Sequence, residues 1–137
     1  MTREITLSAA LLALSLSCAA ATPVAPQSIS ASYEVLWNGS RIAVVNETFE
    51  AKDGAYRILS ESRAVGVLAL FAREPLRLES SGRVCASGLL PLHFDGRRGD
   101  GDPRRARADF NWPAGQLTLT RDGTTDHLKL PAATQDL

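Results

Sequence analysis

The stretch Ser32-Tyr-Glu-Val-Leu-Trp-Asn-Gly-Ser-Arg-Ile-Ala-Val-Val45 decides the fold class. Tyr33, Val35 and Trp37 alternate with Ser32, Glu34 and Leu36, the period of two that belongs to a strand. Asn38-Gly39 is the dipeptide that a type I′ turn favours, because both of its central residues need positive φ. Arg41 to Glu50 then returns as a second strand carrying Ile42, Val44, Val45 and Phe49. Strict alternation breaks near Val45-Asn46, which predicts a bulge at that point.

The same grammar continues downstream. Ala51-Lys-Asp-Gly54 reads as a turn, and Tyr56 to Ser62 as the next strand. Further strands are predicted at Leu76–Val84, Leu89–Phe94, Arg105–Trp112, Gln116–Arg121 and Thr124–Leu130. Arg105–Trp112 shows the best alternation, with Ala106, Ala108, Phe110 and Trp112 on one side. About eight short strands with mostly short connections make an antiparallel meander and exclude an alternating βαβ plan. Ala64 to Ala72 breaks the pattern: nearly all apolar and poor in β-branched residues, it fits a short buried helix that Pro75 terminates. A sheet with one apolar face needs cover, and Val65–Phe71 is the candidate plug. The expected architecture is therefore mainly β. It is a curved antiparallel meander, an open half-barrel, with a short apolar helix packed on its concave face.

The N-terminus reads as an address. Arg3 precedes an apolar run from Ile5 to Leu16, too short for a membrane span of about 20 residues. Ala19-Ala20-Ala21 offers small residues for signal-peptidase cleavage, giving a signal peptide at 1–21. Cys18, just after the apolar run, offers the alternative of lipidation. Either route leaves no transmembrane segment in the mature chain, and places it in the periplasm or, if acylated, on the outer membrane. Residues 22–29, with Pro23 and Pro26, read as a linker. Residues 30–137 form one domain. Pro131 to Leu137 reads as an element just starting, so the domain is expected to be incomplete at its C-terminus.

Composition narrows the function classes. The 137 residues carry 15 Lys+Arg against 15 Asp+Glu, and are 45% hydrophobic and 22% charged. That excludes a globally disordered chain and argues against a nucleic-acid partner. Two cysteines and two histidines are too few for a disulfide scaffold and leave little for a metal, so neither metal nor cofactor is expected. Cys85 reads as a small half-buried residue, alone once Cys18 is removed.

Three groups of residues are candidates for chemistry. Arg97, Arg98, Arg104, Arg105 and Arg107 surround Asp100 and Asp102. They suit phosphate or anionic head groups, or pair with the neighbouring carboxylates in a solvated hairpin loop. His93 and Asp95 share a strand face, whereas His127 and Asp126 point to opposite faces; neither set completes a metal-ligand pattern. Gly99 to Asp102 lacks the spacing of a calcium loop. There is no Gly-x-Ser-x-Gly elbow, so a hydrolase is a distant third reading. Glu61 and Glu79 are scattered polar-face glutamates. Asn38 and Asn46 head formal glycosylation sequons. Finally, Trp37, Leu68, Leu70, Phe71, Phe110 and Trp112, with Tyr33, Val35 and Val67, either line a cavity for a lipid-like ligand or are simply the core.

Ala31 to Ala43 resembles the opening strand pair of the bacterial exported family called domain of unknown function 3108. Tyr56 to Phe71, Leu90 to Phe94 and Phe110 to Leu119 continue in that family's order, so the resemblance spans about residues 30–137. It implies a longer protein with a further helix and strands. The arrangement is also similar to the half-barrels of lipoprotein-localisation factors, a fold-level likeness. The family carries no established reaction. The functional expectation is thus a non-enzymatic exported envelope protein that binds a hydrophobic, lipid-like ligand or an envelope protein partner. The alternative is a structural or interaction module, membrane-tethered if Cys18 is acylated.

Overall fold

A computed structural model describes residues 27–99, 104–132 and 134–135. The stretch 1–21 read as a signal peptide, Cys18 within it, and the loop acids Asp100 and Asp102 lie outside the described residues. Among the described residues eight strands follow one another: β1 Gln27–Trp37, β2 Ser40–Lys52, β3 Ala55–Ala64, β4 Leu76–Cys85, β5 Gly88–Arg98, β6 Arg105–Asn111, β7 Gln116–Arg121 and β8 Thr124–Lys129. They pair in sequence order, each antiparallel to the next, in one curved, unclosed sheet.

Four hairpins close on two residues, and three of those turns share one geometry. Asn38-Gly39, Asp53-Gly54 and Asp122-Gly123 all have positive φ at both positions, Asn38 at 47° and Gly39 at 78°. This is the I′ geometry, whose twist matches that of the flanking strands.

Register assigns the faces, since cross-strand partners share one side. Phe49 opposes Ile58, Ile58 opposes Ser80, Ser80 opposes Phe94, Phe94 opposes Ala108, and Ala108 opposes Leu119. That row defines the apolar face. The core is concentrated on this face towards β6, β7 and the chain beyond β8, where Ala108, Phe110 and Leu130 are buried under Phe94, Trp112, Leu117 and Leu119. A second tight spot joins β3, β4 and β5. Tyr56 is buried with its hydroxyl 3.1 Å from Ser80 Oγ. Beside it, Gly82 faces the backbone of Leu90 so closely that a Cβ would lie 2.0 Å from the carbonyl oxygen.

Four expectations need correction. The bulge is not at Val45-Asn46. The β1–β2 register shifts between Val35 and Leu36, so the extra residue is Ile42, and a second shift makes Leu92 the extra residue on β5. The apolar segment is not a helix on the concave face. It is a single 3₁₀ turn, η1 Gly66–Leu70, without one buried residue. It joins adjacent antiparallel strands, so it leaves and re-enters the sheet at the same end and stays there. Strand β5 runs through Asp95, Gly96, Arg97 and Arg98, which composition alone placed in a loop. Strand β1 begins at Gln27, inside the stretch read as a linker. Cys85 is half-buried at the end of β4, as its small size suggests, and its sulfur is disulfide-bonded.

Candidate functional site

The polar face is a lattice of paired charges. Asp95 on β5 stands opposite Arg107 on β6. It accepts hydrogen bonds from Arg105 Nε at 2.8 Å and Arg107 Nε at 3.2 Å. Partial burial pushes the Asp95 carboxyl up, but the two guanidiniums outweigh it and its pKa falls below the usual range. Glu79 is likewise lowered, chiefly by the hydrogen bond from Arg57 Nε at 2.8 Å. His93 stands opposite Asp109, with Nδ1 2.7 Å from Oδ1. His93 and Asp95 thus share a face, as their spacing predicts, but each bonds to a partner on β6. Glu61 bonds Arg63. His127 lies 3.3 Å from Thr118 Oγ1, while Asp126 faces the other side opposite Leu119. A shallow 320 Å³ depression here is lined by Glu79, Ser81, His93, Asp95, Arg107 and Asp109. Among the described residues no three of His, Cys, Asp and Glu converge on one point.

The apolar face holds a different feature. A groove of 320 Å³ is floored by Leu76 and Leu78 of β4, Phe94 and Gly96 of β5, and Ala106 of β6. Small residues in mid-strand make it. Gly96 has no side chain, and a Cβ there would lie 3.2 Å from Leu78 and 3.4 Å from Phe94. Ala106 is the next residue in the same row. Arg97, Arg98, Arg104, Arg105 and Arg121 line its end, with Asp122 as the one acidic lining residue among the described residues. Arg98 Nη1 also donates to the Glu74 carbonyl at 3.2 Å.

Alternation splits the five loop arginines between two faces. Arg105 and Arg107 turn to the polar face and Asp95. Arg97 lies there too, between Arg77 and Arg105 in register. Arg98 and Arg104 lie on the side of the apolar groove, whose end Arg97 and Arg105 also line. The apolar candidates are also split. Phe110 is 8% exposed and stacks on Trp112 with ring centroids 6.2 Å apart, so both belong to the core region. Trp37, Leu68, Leu70 and Phe71 are exposed, Trp37 at 69% and Phe71 at 83%. They sit at the other end of the strands, around η1, which touches β2 and β3. That is also the end where the groove opens, since Leu76 begins β4 and Arg98 ends β5. Sequence reasoning missed Leu76, Leu78, Gly96, Ala106 and Arg121. Alternate positions in three neighbouring strands were the available signal.

No curated protein and no solved structure matches the chain. No described helix is long and apolar enough to cross a membrane. A family described as Protein of unknown function (DUF3108) matches residues 32–137, and the chain belongs to it.

Proposed function

We propose that this is a non-enzymatic exported protein of the cell envelope. It binds an apolar chain bearing an anionic head group, with the chain in the β4–β6 groove and the head at its rim. The observation that carries this reading is the groove itself. Leucine, phenylalanine, glycine and alanine form its floor, and five arginines line one end. Burying an acyl chain stabilises a complex by about 0.8 kcal/mol per methylene removed from water. Guanidinium forks match carboxylate and phosphate oxygens. Export is supported by the charged, apolar and small-residue order of residues 1–21.

Fluorescence titration of the purified chain with a dansylated fatty acid tests the reading, with a neutral dansylated alkane alongside. Gly96→Val fills the groove floor and is expected to weaken binding at least tenfold. Arg121→Glu is expected to weaken the acid but not the alkane. Circular dichroism checks that both variants fold. No binding of either probe, or binding indifferent to Gly96→Val, overturns the proposal. Pulse-labelling of wild-type and Cys18→Ala chains separates cleavage after Ala21 from acylation.

A second reading has its own observation. The exposed Trp37, Val67, Leu70 and Phe71 form an apolar end of a kind that docks a partner in the envelope. This makes the chain an interaction module, membrane-tethered if Cys18 is acylated. Cross-linking from Phe71 in whole cells tests it.

A further inference from the structure

An open meander has two edges, and in this sheet they differ. Strand β8 is six residues long and carries Asp126, His127 and Lys129. Short length and charge are the usual protections of an edge against further pairing. Strand β1 is eleven residues long, with Glu34 as its one charged side chain and no proline or lysine. Every residue of it is exposed. The irregularity next to it leaves Ile42 as the extra residue, on β2, so β1 runs unbroken along its outer side. Its outward N–H and C=O groups have no strand partner among the described residues.

We propose that β1 pairs antiparallel with β1 of a second copy, about a two-fold axis through Ser32. A two-fold perpendicular to a sheet sets residue i opposite a residue of the same parity, so like faces meet. Only an axis at Ser32 pairs the whole strand from Gln27 to Trp37. Ile29 then meets Val35 and Ala31 meets Tyr33 on the apolar side. On the polar side Ser30 meets Glu34, and Ser32 meets itself. Moving the axis to Glu34 sets two carboxylates face to face, which is destabilising. The strand is thus self-complementary in one register. Pairing joins the two sheets and keeps both apolar faces on the same side. The inference is independent of the groove, which lies on β4–β6.

Light scattering on the purified full chain, with cysteine cross-linking, tests this. Twice the monomer mass is expected, falling to the monomer in Ser32→Lys, where two ammonium groups would face each other. Ser32→Cys is expected to give a reducible dimer under mild oxidation, and Thr125→Cys on β8 none beyond wild type. Ser32→Cys changes one atom and keeps the fold, so its result stands if the lysine variant does not fold. A wild-type monomer at the highest soluble concentration overturns the proposal. So does a dimer that persists in folded Ser32→Lys, or one that cross-links through position 125 instead of 32.

Discussion

Trp112 donates its indole N–H to the carbonyl oxygen of Pro91 at 2.7 Å, tying the exit of β6 back to the middle of β5. Pro91 is fully buried and Trp112 stacks on Phe110. One side chain therefore joins the β5 bulge to the larger hydrophobic cluster. Trp112→Phe keeps most of the ring contact and leaves the carbonyl without that donor. The expected loss is about 1–2 kcal/mol, seen as a lower urea midpoint with an unchanged slope.

Gly82→Ala is expected to be among the most damaging single-methyl changes in this sheet. The added Cβ would sit 2.0 Å from Leu90 O and 2.8 Å from the Tyr56 ring. Backbone cannot yield as a side-chain tip can, so the cost is about 3 kcal/mol or more. Ser81→Ala, one residue earlier, is the control. Thermal unfolding of the pair, with the larger Tm loss at position 82, checks this.

Acid is expected to weaken the sheet through its polar face. Asp95 and Glu79 have lowered pKa values in the folded state. A depressed folded pKa means that the stabilisation is fully present above the unfolded carboxylate range of about 4. It is lost as pH falls through the folded values. These are surface pairs, so each contributes no more than about 1 kcal/mol. Asp95→Asn is expected to reduce the acid sensitivity between about pH 5 and 2, measured by denaturation at stepped pH.

The η1 turn and the core respond differently to polar substitution. Phe71 is 83% exposed and Phe110 8%. Phe71→Ser is expected to change stability by less than about 0.5 kcal/mol. Phe110→Ala is expected to cost about 3–5 kcal/mol, because it opens a cavity under Leu117 and Leu130. Equilibrium unfolding of the two variants compares them. Equal losses would mean that η1 is packed.

The sequence by itself determined the class, the strand order and the turns. These are local properties: alternation has a period of two, and Asn38-Gly39 and Asp122-Gly123 name their own turn type. It also placed His93 and Asp95 on one face, since that follows from parity within a strand. Tertiary structure decided what lies opposite what. Asp95 meets Arg107 through the β5–β6 register, and Leu78 meets Gly96 in a β4–β5 pairing that carries a register shift between Ser81 and Gly82; register is a property of two strands together. The Val65–Phe71 segment shows the same limit from the other side. Its composition speaks for burial, but its position between adjacent antiparallel strands holds it at the end of the sheet, where its side chains are exposed. Hydrophobicity is carried by a residue, whereas cover is supplied by whatever the fold brings against it.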